Sequence, residues 1–134
     1  MRVTPAPYLR QGLLANATTN AGFALFMLLA GELAPERLAI PAPLLIVEGA
    51  VLGLAALTLG RLALRAELRL AAIWAAIGFN AAWALGCIGL VDLGLAGPAR
   101  AGTVFILAQG GVAAMYGVLQ WIGLKRSRAA LVLA

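Results

Sequence analysis

Four polar side chains interrupt otherwise apolar runs of this chain: Asn20, Glu48, Asn80 and Gln109. Glu48 is the most informative, because it is the one ionisable group well inside such a run. A charge at that depth in a bilayer costs at least ~2.5–3.5 kcal/mol on insertion scales. One reading makes Glu48 a proton- or cation-responsive site. The other makes it a protonated carboxyl hydrogen-bonded to Asn20, Asn80 or Gln109, holding helices in register through bonds that average ~0.6 kcal/mol. No second intramembrane charge is present to relay a proton.

Other chemistry is scarce. The chain has no histidine, which removes the commonest general base and metal ligand, and histidine-ligated haem with it. Cys87 is the only cysteine, so no intramolecular disulfide, CxxC pair or thiolate metal cage can form. With no basic neighbour it reads as a small apolar filler. No Ser/His/Asp, Cys/His or paired-carboxylate arrangement occurs, and no GxxxxGK[ST] loop. Glu32, Glu36 and Asp92 fall in breaks between the apolar runs and are expected to be solvated. The expectation is a protein without enzymatic activity, cofactor or metal.

The elements that must position these residues follow from composition. Of 134 residues, 63% are hydrophobic and 11% charged, against roughly 45–50% and 25% in a soluble domain. A soluble fold of this size could not hide so much apolar surface. Four runs, about 10–31, 40–60, 70–91 and 102–124, are each close to the ~20 residues that cross a bilayer as a helix. Their breaks carry Pro35, Arg37, Arg61, Arg65, Arg69, Gly94, Pro98 and Arg100. Pro41 and Pro43 stand where the second helix begins, a place where a missing N–H costs little. The runs lack the alternation of barrel strands, which leaves helices as the way to satisfy backbone groups in lipid. The fold class is all-α: a polytopic bundle of four transmembrane helices in one domain, 1–134. The first run, though preceded by Arg2 and Arg10, is long, carries Asn16, Thr18, Thr19 and Asn20, and is followed by no small-x-small cleavage site, so it reads as a retained helix.

Arg2, Arg10, Arg61, Arg65, Arg69, Lys125, Arg126 and Arg128 fall on one side of this topology, and Arg37 and Arg100 on the other. The positive-inside rule then places both termini in the cytoplasm, in a bacterial inner membrane. The net charge of +5 is thus a topology signal. Nucleic-acid binding would need a basic face on a soluble surface, which the chain lacks.

The halves about 9–65 and 69–126 resemble each other at an offset of about sixty residues. Asn20-Ala-Gly-Phe-Ala-Leu25 answers Asn80-Ala-Ala-Trp-Ala-Leu85, and Leu45-Ile-Val-Glu-Gly-Ala-Val51 answers Ile106-Leu-Ala-Gln-Gly-Gly-Val112. Pro35-Glu-Arg37 likewise answers Pro98-Ala-Arg100. The pattern predicts a 2+2 parallel repeat about an axis along the membrane normal. At 1.5 Å per residue, Asn20 and Asn80 fall near mid-helix, and Glu48 and Gln109 roughly 4–8 Å further out. One polar residue per helix would meet in one layer or two adjacent layers, containing a single carboxylate.

Small residues form stripes: Gly49 and Gly53 in the second helix, Gly110, Ala114 and Gly117 in the fourth. Such stripes let helices approach closely, and here they read as internal packing. Asn16, Thr18, Thr19 and Asn20 either line a polar entrance or bridge and back-bond to neighbouring turns. Trp121 and Tyr8 sit at predicted membrane boundaries, and Trp83 lies near the midplane beside Asn80. Lys125, Arg126 and Arg128 form a juxtamembrane cluster that anchors the topology and can touch anionic lipid.

Leu13-Leu-Ala-Asn-Ala17, Asn80-x-x-Trp83 and Leu119-Gln-Trp-Ile-Gly-Leu-Lys-Arg126 together resemble a group of small bacterial four-helix membrane proteins of unknown function. In that group the polar position of the third helix is often Asp, where this chain has Asn80. The resemblance implies a fold and a membrane location but no activity. Small multidrug exporters share only the helix count, since their essential Glu lies in the first helix. The expected role is binding: an accessory or oligomeric subunit whose partners are the lipid bilayer and other membrane subunits or a second copy. The alternative is a small transporter or channel, with Glu48 meeting an ion or small-molecule ligand.

Overall fold

A computed structural model of the chain describes residues 1–33, 38–95 and 100–132. Four helices carry the fold: α1 (Pro7–Leu33), α2 (Ala42–Ala63), α3 (Leu70–Asp92) and α4 (Arg100–Val132). Each contains a stretch long and apolar enough to cross a membrane. Leu25, Leu54, Leu57 and Leu85 project outward with most of their surface uncovered, which in this chain means toward lipid. Glu32, expected in a break between runs, is the penultimate residue of α1, while Glu36 and Arg37 fall within 34–37, outside the described residues. Pro35 and Pro98 fall outside them as well.

Local chemistry sets the helix ends. Pro41 caps α2 and Pro43 occupies its first turn, where their missing N–H groups leave no carbonyl unpaired. At the end of α3, Gly94 adopts φ +70°. There the Leu95 N–H donates to Leu90 O at 2.9 Å and the Gly94 N–H to Val91 O at 3.0 Å, a Schellman closure that favours glycine. α4 runs past the apolar boundary near residue 124, through Lys125, Arg126 and Arg128.

The four helices are arranged in the order α2, α1, α4, α3. α1 packs on α2 over most of its length, α3 packs on α4, and a smaller α1–α4 interface joins the two hairpins. α2 and α3 stand apart, flanking an open groove.

Glycines bring the hairpin helices close. A Cβ on Gly49 would stand 3.2 Å from Ala24 O and 3.0 Å from Leu28 Cγ, and one on Gly110 would stand 3.4 Å from Ala84 O and 2.9 Å from Cys87 Cβ. Both contacts join positions paired at the sixty-residue offset. Gly53 faces Ala24 and Gly117 faces Asn80 at ordinary contact distance, while Ala114 is exposed beside Ile77 and Trp121.

One element is invisible at the level of hydropathy. β1 (Arg2–Val3) pairs antiparallel with β2 (Leu68–Arg69), setting Arg2 opposite Arg69 and Val3 opposite Leu68. Val3 and Leu68 are buried and close one end of an apolar cluster with Leu9, Leu13, Leu59, Ala63, Ile73 and Leu124. Ser127 secures the same end, accepting the Ala6 N–H at 2.9 Å and donating to Gly123 O at 2.8 Å. Arg126 lies over the Tyr8 ring and Lys125 over Trp121, so the basic end of the bundle is pinned to aromatic rings at the boundary.

Candidate functional site

Two apolar clusters fill the bundle, one around Leu9, Leu13 and Leu124 at the basic end, the other around Met27, Leu45, Leu52 and Ile106 at the far end. A layer of amides lies at mid-bundle. Asn16 Nδ2 donates to Asn80 Oδ1 at 3.2 Å, and Asn80 Nδ2 donates to Gln120 Oε1 at 3.0 Å and to Ala76 O at 3.1 Å. Asn80, 2% exposed, therefore ties α1 and α4 to α3. Beside this chain, Thr19 Oγ1 and the Tyr116 hydroxyl share a hydrogen bond of 2.8 Å across the α1–α4 interface.

One turn further from the basic end, Asn20, Asn80 and Gln109 line a cavity of about 10 Å³ with Phe23, Leu52, Phe79 and Trp83. Asn20 Nδ2 and Gln109 Oε1 find no protein partner. A cavity near this volume has room for about one water, which could accept from Asn20 and donate to Gln109. So the structure gathers three of the four candidate site residues, Asn20, Asn80 and Gln109, around one small void.

Glu48 stands apart from them. It lines the groove between α2 and α3, together with Val47, Val51, Phe79, Trp83, Gly86 and Cys87. This part of the groove holds about 590 Å³, within the range of small-molecule and helix-sized recesses. Phe79 and Trp83 stack at a tilt, centroids 5.8 Å apart, on the wall facing α2. Among the described residues no side chain hydrogen-bonds or ion-pairs with the Glu48 carboxyl. Glu48 and Gln109, matched at the sixty-residue offset, are both buried, at 9% and 3% exposure, but line different spaces: Glu48 the wall of the α2–α3 groove, Gln109 the small inner cavity.

Gln120, Tyr116, Gly123 and Ser127 carry much of the interior polar and close contact, and hydropathy alone passes over them. Their signal lies in α4 itself. Gln109, Ala113, Tyr116, Gln120, Gly123 and Ser127 recur at intervals of three and four, the spacing of one helix face. Among the described residues no three of His, Cys, Asp and Glu converge, so the site offers amides and one carboxyl to any ligand.

No known family model matches the chain, and neither a curated protein nor a solved structure does.

Proposed function

We propose that the chain is a small, non-enzymatic integral membrane protein that acts by binding, as an accessory or oligomeric subunit of a membrane complex. Its partner seats a transmembrane helix in the groove between α2 and α3. The observation that carries this reading is the contrast between a core closed down to about 10 Å³ and a lateral groove of about 590 Å³. Gly86 and Gly89 face that groove with nothing within 4 Å of where a Cβ would stand, so an incoming helix can approach closely. Intramembrane carboxyls pair with something, and Glu48 would take a hydrogen-bond donor from the partner. The topology proposed with it is a bacterial inner membrane with both termini cytoplasmic, from the basic end just described. Duplicated halves, and kinship with small bacterial four-helix membrane proteins, belong to the same proposal. The matched Gly49–Ala24 and Gly110–Ala84 approaches support the former.

Gentle extraction from the native membrane at natural expression levels tests the reading by mass. A fixed stoichiometry with other chains, or a defined oligomer, is expected. Gly86→Leu should abolish it while leaving the isolated chain folded, because the added side chain meets open space. A lone monomer, or assembly untouched by Gly86→Leu, would overturn it.

A second reading has its own observation: the Glu48 carboxyl faces Phe79 and Trp83 across an apolar recess, a combination suited to a cation. On that reading the protein is a small proton- or cation-responsive transporter. Glu48→Gln would then abolish pH-dependent ligand binding or flux. If the subunit reading holds, the same substitution leaves assembly intact, since glutamine still offers an acceptor.

A further inference from the structure

The groove does not end at Glu48. Its outer part shares Val51 and Phe79 with a second stretch of about 360 Å³, lined by Leu54, Ala55, Thr58, Leu62, Ala72 and Ala75. That stretch shares Leu62 and Ala72 with a polar recess of about 190 Å³ at the basic end, lined by Arg2, Arg65, Glu67 and Arg69. An apolar channel between two helices therefore opens onto three guanidiniums and one carboxylate. From Val51 to Leu62 the helix rises about 16 Å, close to the ~15 Å of one leaflet's hydrocarbon.

The arginines are held in a costly arrangement. The β1–β2 register sets Arg2 directly opposite Arg69, and like charges at opposed strand positions repel. Glu67 Oε2 accepts from Arg2 Nη1 at 3.3 Å, the one ion pair among the described residues. Arg10 Nη2 donates to the Arg65 carbonyl at 3.3 Å, fixing the turn that carries Arg65. Arg65 and Arg69 are left exposed at the mouth of the groove without a carboxylate of their own. An anion placed between them would relieve the repulsion and gain charge-assisted bonds.

We infer that the inner half of the α2–α3 groove binds an anionic phospholipid, its phosphate held by Arg2, Arg65 and Arg69 and one acyl chain lying between Val51–Leu62 of α2 and Ala72–Phe79 of α3. Basic pockets at the membrane-facing ends of helices take such headgroups, and here the chain's slot is continuous with the pocket. The site adjoins, through Val51 and Phe79, the outer part of the groove beside Glu48 and Gly86, and otherwise uses different side chains from it.

The test uses the full-length protein in neutral detergent, with native mass spectrometry as readout. The probes are phosphatidylglycerol, phosphatidylcholine with the same acyl chains, and glycerol 3-phosphate. The wild-type chain should retain phosphatidylglycerol about tenfold better than phosphatidylcholine, given the usual contribution of each basic residue near an anionic lipid. Arg65→Gln with Arg69→Gln should bring the two lipids to parity, while Arg65→Lys with Arg69→Lys keeps most of the preference. Ala75→Leu, at an exposed position lining the slot, should lower retention with the fold intact. Equal retention of the two lipids by the wild-type chain would overturn the inference. So would a preference surviving both Gln substitutions, indifference to Ala75→Leu, or displacement of the lipid by equimolar glycerol 3-phosphate, which would mark a free-phosphate site. None of these substitutions touches Gly86, so failure here and failure of the subunit reading are separately visible.

Discussion

Replacing Asn80 with leucine is expected to destabilise the folded bundle by about 2 kcal/mol, whereas the same change at Asn20 is expected to cost less than about 0.5 kcal/mol. The two asparagines are indistinguishable by sequence context. In the structure Asn80 makes interhelical bonds to Asn16 and Gln120, and Asn20 Nδ2 makes none to protein. Interhelical bonds in membranes reach ~1.7 kcal/mol at most and average ~0.6. Losing two of them also leaves the Asn16 and Gln120 amides buried with no partner, which raises the cost for Asn80. The effect should be non-additive: once Asn80 is leucine, changing Asn16 or Gln120 to an apolar residue should cost little or even stabilise. Equilibrium unfolding by steric trapping or denaturant in mixed micelles measures all of these. Equal losses at Asn20 and Asn80 would show that the amide layer is not the clamp described here.

Gly123→Ala is the substitution with the largest expected effect from a single methyl group. Its Cβ would stand 2.8 Å from Leu9 Cα and 2.9 Å from Leu9 Cβ, so the conflict is with backbone and with the root of a side chain. Shortening Leu9 cannot relieve it, and α1 and α4 must separate at the interface that joins the two hairpins. Overpacking of this kind costs typically 1–3 kcal/mol, and about 3 kcal/mol is expected here. Gly110→Ala meets Cys87 Cβ at 2.9 Å and should rank next; Gly49→Ala meets Leu28 Cγ at 3.0 Å and the Ala24 carbonyl at 3.2 Å and should follow it. Gly22, Gly78 and Gly111 have open space around them, so alanine there should be neutral or slightly stabilising. Thermal midpoints of the series give the ranking. A Gly123→Ala protein as stable as Gly78→Ala would contradict the α1–α4 contact.

The four spans could be read from the sequence because lipid imposes a length and an apolar composition that little else matches. Counting residues places Asn20 and Asn80 near mid-helix and Gln109 roughly 4–8 Å further out; in the structure all three line one cavity. Azimuth was not legible. Which space a buried residue lines depends on how helices rotate against each other: Glu48 lines the groove between α2 and α3, while Gln109 lines the small inner cavity. Hydropathy does not single out Gln120, Tyr116 or Ser127; on one face of α4, Tyr116 meets Thr19 of α1, Ser127 meets the Ala6 N–H just before α1, and Gln120 meets Asn80 of α3. The β1–β2 pair is two residues on each side, too short for any periodicity to announce it.

That short pairing also orders events in time. Arg2 and Val3 are synthesised well before their partners Leu68 and Arg69, which follow two complete spans. The β1 residues must therefore wait, without their strand partner, until α1 and α2 have been made. Only then can the pair close over Leu9 and Leu13. A chain that ends before residue 68 would leave Val3 without Leu68 and the cluster around Leu9 and Leu13 uncapped.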